Sequence, residues 1–432
     1  MAKRDFSMSN ITVIGTGYVG LSTGACFSHL GHHVTCLDVD AAKVTALSLG
    51  QIPIVEQGLE DLVRTGLANG TLRFTTSIAD SVPTADVVVL CLPTPQGDDG
   101  SADLSYVEQV ARDIASTLKS GAVVVNKSTV PVGTAARVAE IIGRKDISIV
   151  SNPEFLRQGT AVHDFLHPSR VVIGGDEVAA IEAVADLYVG VDAPILKMKT
   201  ASAEALKYAA NAFLATKLTF INAMADICEA VGADIFDVAS GIGLDPRIGK
   251  DMLSAGPGWG GSCFPKDTRA LVSIAAEGGY DFALLRGVIE TNDQHYARIA
   301  EKVIAECGGS VQGLTVAAWG LTFKANTDDL RDSPAIKILL MLRDAGAVIR
   351  AYDPTAKSGY EAYPWITVMP SALDACQDAD ALVLLTEWSE FATIKPHDVA
   401  DRMKSSRVVD SRNVLDKTAW IEAGFVHRGV GR

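Results

Sequence analysis

The chain has 432 residues, of which 48% are hydrophobic and 21% are charged, and its formal net charge is −14. This length predicts two or three domains that each bury a core, and the acidic balance argues against nucleic acid as a partner. Seven cysteines without a CxxC pair indicate reduced thiols, not a disulfide framework or a metal site. Neither a membrane span nor a signal peptide is evident. We therefore expect a cytoplasmic protein without a membrane partner.

The first predicted elements form a complete strand–helix–strand unit. Residues 10–14 read as a buried strand, GTGYVG opens a helix that ends at Gly31, and a second strand closes on Asp38. Further apolar strands are predicted at 86–92, 122–126, 148–150 and 171–174. Alternation of strands and helices indicates an α/β fold with a doubly wound parallel sheet.

The middle of the chain reads as helical. Residues 201–230 contain neither Pro nor Gly, and their apolar residues recur at helical spacing, which predicts one long helix. We expect this helix to join two domains and to pack against a second subunit. Helical sequence continues to about residue 307, so we assign residues 201–312 to a central domain.

The C-terminal part repeats the first in outline. GAVIRAYD runs from Gly346 to Asp353 with the spacing that GHHVTCLD has from Gly31 to Asp38, and ADALVL matches ADVVVL. We predict a first Rossmann-like domain over residues 1–200 and a second over 313–432, joined by the long central helix. The second lacks GxGxxG, so it need not bind a dinucleotide.

The glycine turn is a dinucleotide-binding fingerprint. Gly15, Gly17 and Gly20 follow a strand and open a helix, so they allow a pyrophosphate to reach the helix N-terminus. Asp38 follows at the interval expected of a ribose-binding carboxylate, which favours NAD over NADP. The alternative is a tight turn that binds nothing.

A second motif, GGSCFPKD, carries a candidate nucleophile. Cys263 lies in a glycine-rich turn, with Lys266 three residues on and Asp267 four residues on. A nearby ammonium favours the reactive thiolate, and a nucleophilic cysteine beside a nicotinamide indicates oxidation through a thioester. The alternative is a buried and inert cysteine.

Polar residues elsewhere are candidates that the sequence alone leaves open. Lys207 and Asn211 share one helix face and could hold an oxyanion, or they could belong to a solvated face. Glu154 follows a strand end and is an acid/base candidate or an exposed loop carboxylate. Thr129 could bond a cofactor or cap the next helix. The loop from Lys324 to Pro334 could bind phosphate or be an exposed mixed-charge loop.

Together these motifs resemble the UDP-glucose/GDP-mannose dehydrogenase family, over nearly the whole chain and in the family's order. The segments NPEFLRQGTAVHDFLHPSRVVIG, SCFPKD and LTFKANTDDLRDSP are most similar to members that act on UDP-glucose. The resemblance implies NAD-dependent four-electron oxidation of UDP-glucose to UDP-glucuronate through a thiohemiacetal and a thioester, in a homodimer or higher homo-oligomer. GDP-mannose or UDP-N-acetylmannosamine is the alternative substrate. A silent nucleotide-sugar sensor and a two-electron dehydrogenase are the rival functions.

The resemblance also implies roles for individual residues. The catalytic set is Cys263, Lys207, Asn211, Asp267, Glu154 and Thr129. The NAD set is Gly15, Gly17, Tyr18, Val19, Gly20, Asp38, Lys43, Thr94, Thr129, Gln158, Lys266 and Arg331. The substrate set is Glu154, Phe155, Leu156, Arg157, Lys207, Asn211, Arg247, Met252, Leu253, Ser254, Ala255, Gly256, Gly260, Phe323, Lys324 and Arg412.

One position departs from the family pattern. Gln158 stands where the family usually has a carboxylate, within EFLREG, and a neutral amide cannot act as a base. Either Glu154 does any carboxylate work in this loop, or position 158 only hydrogen-bonds the cofactor.

Overall fold

The computed structural model describes residues 8–97, 100–355 and 360–432. The chain forms two compact units, one of residues 1–210 with Arg269–Tyr280 and one of Asn211–Thr268 with Asp281–Arg432. Residues 1–7, part of the segment for which no signal peptide is expected, lie outside the described residues. In the described ranges, no helix combines the length and the apolar character needed to cross a membrane.

The described residues of the first unit contain an eight-stranded sheet in the order β3-β2-β1-β4-β5-β6-β7-β8. Its strands are β1 (Asn10–Ile14), β2 (His33–Leu37), β3 (Leu72–Thr75), β4 (Val87–Leu90), β5 (Val123–Asn126), β6 (Ser148–Ser151), β7 (Val171–Gly174) and β8 (Ile195–Met198). The first six strands are parallel, which confirms the predicted arrangement for the five of them that the sequence indicated; β3 was not predicted. β7 runs antiparallel to β6, and β8 pairs with β7 in parallel. Apolar periodicity predicts a strand but not its direction, so this reversal was not foreseen.

Helices cover both faces of this sheet. They are α1 (Tyr18–His29), α2 (Ala41–Ser48), α3 (Leu59–Asn69), α4 (Ile78–Ser81), α5 (Ser105–Ile114), α6 (Thr134–Ile142), α7 (Ala161–Leu166) and α8 (Val178–Asp186), with a 3₁₀ turn at Val82–Thr84. Successive valines of β5 alternate between two cores: Val125 packs in one and Val124 in the other. A sheet buried on both faces is the doubly wound arrangement that the sequence predicted.

Four helices follow, and the predicted long helix is confirmed. They are α9 (Thr200–Val231), α10 (Ile235–Gly243), α11 (Phe264–Glu277) and α12 (Ala283–Glu306). α9 has 32 residues, and the boundary between the two compact units falls within it, after Ala210. Its length agrees with the run free of Pro and Gly, the two residues that most often end a helix.

The described residues of the second unit contain a six-stranded parallel sheet in the order β11-β10-β9-β12-β13-β14. Its strands are β9 (Thr315–Trp319), β10 (Val348–Tyr352), β11 (Ile366–Val368), β12 (Ala381–Leu384), β13 (Arg407–Asp410) and β14 (Val426–Arg428). Its helices are α13 (Pro334–Asp344), α14 (Ala372–Cys376), α15 (Pro396–Ala400) and α16 (Lys417–Glu422), with 3₁₀ turns at Tyr360–Ala362 and Phe391–Thr393. This order repeats that of β1–β6, so the predicted second Rossmann-like sheet is confirmed.

Candidate active site

The glycine turn after β1 leaves room for a ligand at one of its three glycines. A Cβ atom on Gly15 (φ +93°) would lie 2.3 Å from the Cys91 carbonyl oxygen, and one on Gly20 would lie 1.8 Å from the Gly15 oxygen. At Gly17 the same test meets no neighbouring atom of the described residues within 4 Å. Gly17 is also the N-cap of α1 and has no side-chain cap. The turn therefore fits a pyrophosphate on the helix N-terminus.

Asp38 lies at the end of β2 beside this turn. Its carboxylate accepts from the Thr16 backbone N–H at 2.8 Å and hydroxyl at 2.5 Å, and pairs with the Lys43 ammonium at 3.2 Å. Burial alone would raise the pKa of Asp38, but the bonds from Thr16 and Asp40 and the charge of Lys43 outweigh it and bring that pKa to about 2. Asp38 is thus fully ionised at neutral pH, and its side chain remains partly accessible.

The second sheet has a carboxylate at the corresponding position, and hydrogen bonds within the protein already engage it. Asp353 follows β10 as Asp38 follows β2, and it is buried. One oxygen accepts from the backbone of Leu321 and Thr322 and from the Trp388 indole N–H, and the other accepts from Thr355. Asp38 also has hydrogen bonds to both of its oxygens, but its side chain is 14% exposed, whereas Asp353 is only 2% exposed. The deeper burial of Asp353 agrees with the missing GxGxxG.

Glu154 and Lys207 form a buried ion pair in the first unit. Glu154 follows β6, and its Oε1 lies 3.2 Å from the Lys207 Nζ on α9, while its Oε2 accepts from the Leu156 N–H at 2.5 Å. Lys207 is only 4% exposed and Asn211, one turn further along α9, is 6% exposed. The alternatives of a solvated helix face and of an exposed loop carboxylate are therefore wrong. A buried ion pair at the carboxyl end of a strand is a candidate for a functional site.

Phe155 brings a second cation to this pair. The Lys207 Nζ lies 5.3 Å from the centre of the Phe155 ring, and the Arg170 guanidinium carbon lies 3.8 Å from it. Burial lowers the pKa of Arg170, although the group remains charged. The sequence reasoning missed Arg170, whose signal was its place in PSRVVIG, directly before β7.

Glu204 is another residue that the sequence reasoning missed. This buried carboxylate on α9 accepts from the Gly133 and Ala135 N–H groups at 2.7 and 2.9 Å and from the Ser151 hydroxyl at 3.1 Å. Burial raises the pKa of Glu204, and the two backbone donors partly oppose that shift. Glu204 therefore ties α9 to the start of α6 and to the end of β6.

Thr129 is not a helix cap. The N-cap of α6 is Gly133, whose N–H donates to Glu204, so the capping alternative for Thr129 is wrong. Thr129 is buried at the carboxyl edge of the sheet, and its carbonyl accepts from the Thr94 hydroxyl at 2.9 Å. Two residues of the predicted NAD set thus lie in contact.

The remaining predicted residues of the first unit are less deeply placed. Val19 packs at the rim of the core, and Gln158 and Leu156 are half-buried. Arg157 is exposed and pairs with Asp164 at 2.6 Å, and its backbone N–H donates to the same carboxylate at 3.0 Å.

In the second unit, Cys263 immediately precedes α11. The thiol is half-buried, and the Cys263 carbonyl accepts from the Asp267 N–H at 2.9 Å, in the first turn of the helix. A helix N-terminus favours a thiolate. The preceding glycines are required by close packing, since a Cβ on Gly260 would lie 2.0 Å from the Asp332 oxygen and one on Gly261 would meet the Phe323 ring.

Asp267 is the centre of a polar cluster behind this cysteine. The carboxylate is 1% exposed, accepts from the Asn211 Nδ2 at 2.6 Å and pairs with the Lys266 Nζ at 2.5 Å. Lys266 thus makes its ion pair with Asp267, whereas the sequence placed it as the partner of the thiolate. The structure brings together Asn211, Lys266 and Asp267, three of the predicted residues.

Arg331 is a cation close to the cysteine. Its guanidinium makes a two-pronged contact with Asp329, at 2.8 and 2.7 Å. The pKa of Arg331 lies above its ordinary value, chiefly because of the hydrogen bond to Asp329 and, in smaller part, because of the charges of Asp329 and Cys263. A thiolate at Cys263 and the guanidinium of Arg331 would therefore stabilise each other.

The predicted nucleotide loop is held from two helices. The Gly256 N–H donates to the Asn222 side chain at 2.9 Å, and its carbonyl contacts the His295 Nε2 at 2.8 Å. Met252 in this loop adopts a left-handed φ of +64°. Leu253 and Ala255 are buried in a core, so only their backbone can reach a ligand, whereas Ser254 is exposed.

The cations predicted to bind substrate are placed differently from one another. Arg412 donates to the carbonyls of Phe323 at 3.1 Å and Leu385 at 2.9 Å, and it lies 3.4 Å from where a Cβ on Gly256 would be. The Lys324 Nζ lies 5.8 Å from the Phe323 ring. Arg247 is 87% exposed on its own unit and pairs with Asp245. Arg412 therefore adjoins the nucleotide loop, while Arg247 points to solvent.

Three family models match the chain. The NAD binding domain of the UDP-glucose/GDP-mannose dehydrogenase family matches residues 9–192, the central domain 201–294 and the UDP binding domain 317–417. The chain is 46% identical to the UDP-glucose 6-dehydrogenase of Rhizobium meliloti, over 98% of this chain and 99% of that protein.

Solved structures give the same fold. A UDP-glucose dehydrogenase from the archaeon Pyrobaculum islandicum superimposes with a TM-score of 0.91 and 36% identity, over 100% of this chain and 99% of that one. A UDP-D-ManNAc dehydrogenase from Pyrococcus horikoshii superimposes with a TM-score of 0.86 and 27% identity, over 98% and 99%.

Proposed function

The chain belongs to the UDP-glucose/GDP-mannose dehydrogenase family, and from this premise we propose that it oxidises UDP-glucose to UDP-glucuronate with NAD. Atoms and charges balance as one UDP-glucose, two NAD⁺ and one water giving one UDP-glucuronate, two NADH and three protons. The observation that carries the choice of sugar is the 46% identity to a full-length relative named for UDP-glucose.

The cofactor would be held by the first unit. The open face at Gly17 suits the pyrophosphate, Asp38 suits the ribose hydroxyls, and Thr94, Thr129 and Gln158 suit the nicotinamide end. When bound, NAD accepts a hydride from the sugar in each of the two oxidations. We propose residues 1–200 as this domain, 201–312 as the central domain and 313–432 as the domain for the nucleotide sugar.

Lys207 and Asn211 serve the oxygen at C6. The alcohol proton passes to solvent as one of the three protons counted above. The Lys207 ammonium, held by Glu154, stabilises the alkoxide that remains, and the Asn211 amide, held by Asp267, donates to the same oxygen. Each donor of this kind contributes about 3–4 kcal/mol to a developing oxyanion in comparable sites.

Cys263 holds the aldehyde between the two oxidations. Its thiolate adds to the aldehyde carbon and gives a thiohemiacetal, and the second oxidation converts this to a thioester. Water then attacks the thioester carbon, the C–S bond breaks, and the thiolate and the sugar carboxylate are formed. We assign the orientation of that water to Asp267, which is buried beside Asn211.

The nucleotide of the substrate would be bound by the second unit. The backbone of residues 252–256 and Gly260 faces it, with Lys324 and Arg412 at the phosphates and Phe323 beside them. Arg247 is the exposed cation that would reach substrate across a subunit interface. In the described part of the chain Arg247 pairs with the neighbouring Asp245, and an exposed pair of this kind costs little to exchange.

We propose a homodimer that forms through α9. Phe213, Phe220 and Ile227 are exposed on this helix at intervals of seven residues, the spacing of a helix–helix seam. Replacing Phe220 with glutamate is expected to convert a dimer to a monomer in size-exclusion chromatography with light scattering. A wild-type protein that has the mass of one chain would contradict this assignment.

A panel of sugar nucleotides tests which of them is the substrate. Purified protein with NAD is expected to form NADH with UDP-glucose at least about tenfold faster, in kcat/KM, than with GDP-mannose or UDP-N-acetylmannosamine. Faster turnover of another sugar nucleotide would make that compound the substrate. Binding of UDP-glucose without NADH formation would favour a function as a sensor. We also propose a cytoplasmic location, where the Cys263 thiol is kept reduced.

Cofactor choice gives a separate prediction. The ionised Asp38 repels the 2′-phosphate of NADP, so kcat/KM should favour NAD by about a hundredfold or more. Asp38→Ser should narrow this preference at least about tenfold, while Asp40→Ser, which removes the same charge but keeps a cap for α2, should leave it unchanged. Equal use of both cofactors by the wild-type protein would show that Asp38 does not face the ribose.

A further inference from the structure

Glu56 is a buried carboxylate to which the proposed mechanism gives no task. It lies between α2 and α3, it is 8% exposed, and its two oxygens accept hydrogen bonds from three donors. Oε1 accepts from the Ala161 N–H at 2.8 Å, and Oε2 accepts from the Gly159 N–H at 2.8 Å and from the Tyr18 hydroxyl. A buried carboxyl group needs such donors, because an unpaired polar atom at this depth is costly.

Tyr18 connects this carboxylate to the cofactor turn. It follows Gly17 directly and is the first residue of α1, the helix whose N-terminus fits the pyrophosphate. Its hydroxyl also accepts from the Gly159 N–H at 2.8 Å and lies 3.0 Å from the Val55 carbonyl. Gly159, Glu56 and Tyr18 therefore form a closed triangle of hydrogen bonds.

The triangle is attached to the loop that carries the site. Gly159 adjoins Gln158 and ends the segment that starts after β6 with Glu154, the partner of Lys207. The hydrogen bond between Tyr18 and Gly159 joins this loop to the glycine turn, although the two residues are 141 positions apart in the sequence. A small shift of Gly159 would move the backbone of the whole segment, because only four residues separate it from Glu154.

We propose that Glu56 and Tyr18 form a latch through which a cofactor at the glycine turn fixes the 154–159 loop. A ligand that orders the first turn of α1 also orders Tyr18, and the hydrogen bonds to Glu56 and Gly159 pass that order to the loop. Both are positioning residues. The effect on turnover rests on the proposed function, whereas the coupling between turn and loop does not.

Amide hydrogen exchange tests the coupling without any sugar. With saturating NAD⁺, the wild-type Gly159 and Ala161 amides are expected to exchange several-fold more slowly than without it. In Tyr18→Phe this protection by NAD⁺ is lost. In Glu56→Gln both amides are expected to exchange about tenfold faster even without NAD⁺, because the amide offers one acceptor oxygen where the carboxyl group offers two, and its NH₂ group faces a backbone N–H. The matched control is Glu60→Gln, which changes an exposed carboxylate paired with Arg64. In this variant the Gly159 and Ala161 amides should exchange as they do in the wild type.

Turnover provides the second readout. Each latch variant should lose about tenfold in kcat with the KM for UDP-glucose within about twofold, and the double variant should lose little more than either single variant. Tyr18→Phe deletes one hydroxyl, so its unfolding temperature shows whether the fold is intact. Exchange and kcat within twofold of the wild type in both single variants would overturn the latch. A wild-type protein that makes no NADH from UDP-glucose, yet shows the NAD⁺ protection, would overturn the proposed function alone.

Discussion

Cys263→Ser is expected to lower turnover by at least about a thousandfold, while UDP-glucose and NAD binding stay within a few-fold of the wild type. A hydroxyl is far less acidic than a thiol, so it cannot be held as an anion at the start of α11 beside Arg331. Steady-state NADH formation measures the turnover, and calorimetric titration measures the binding of UDP-glucose and NAD.

The matched control is another half-buried cysteine. Cys307 directly follows α12, and burial raises the pKa of its thiol, so Cys307→Ser should keep wild-type turnover. Turnover near the wild-type rate in Cys263→Ser would exclude covalent catalysis. Loss of both ligands in that variant would mean that the turn at residues 260–263 has collapsed.

Asp267→Asn is expected to slow hydrolysis of the thioester by about a hundredfold or more and so to trap it. The change keeps the size of a buried side chain but removes the charge that pairs with Lys266 and orients Asn211. The variant should make its first NADH equivalents in a burst and then stall. Intact mass spectrometry should show Cys263 carrying a UDP-sugar acyl group.

Glu154→Gln is the matched comparison for that trap. An amide oxygen can still accept from the Leu156 N–H, but the charge opposite Lys207 is lost. Because Lys207 remains present as an oxyanion donor, we expect a milder loss of turnover than in Asp267→Asn and no accumulated adduct. An adduct in Glu154→Gln and none in Asp267→Asn would make Glu154 the hydrolytic carboxylate, which the amide at Gln158 leaves open.

The fold was predictable where its signals are local. A glycine turn between a strand and a helix and the equal Gly-to-Asp spacings that end at Asp38 and Asp353 are read within short segments, and both Rossmann-like sheets follow them. The edge strands β3 and β8 were missed because each is partly exposed and carries a charged residue, Arg73 in β3 and Lys197 in β8. The charged residue interrupts the apolar run that marks a buried strand.

The supporting residues of the site could not be predicted in this way. Glu204 meets its three donors across 53 to 71 residues, and Glu56 meets Gly159 across 103. No periodicity links such positions, so a carboxylate that will be buried looks like one on a surface. Lys266 shows the same limit, since closeness in sequence to Cys263 did not reveal that its ion pair is with Asp267.

In the proposed mechanism one site carries out both oxidations through a covalent intermediate, and the number of NADH formed per sugar consumed distinguishes it from a single oxidation. Purified protein, limiting UDP-glucose and excess NAD⁺ are expected to yield two NADH and one UDP-glucuronate for each sugar consumed, with no free aldehyde when an aldehyde trap is added. One NADH per sugar, with UDP-linked aldehyde caught by the trap, would contradict the covalent four-electron mechanism and make the protein a two-electron dehydrogenase.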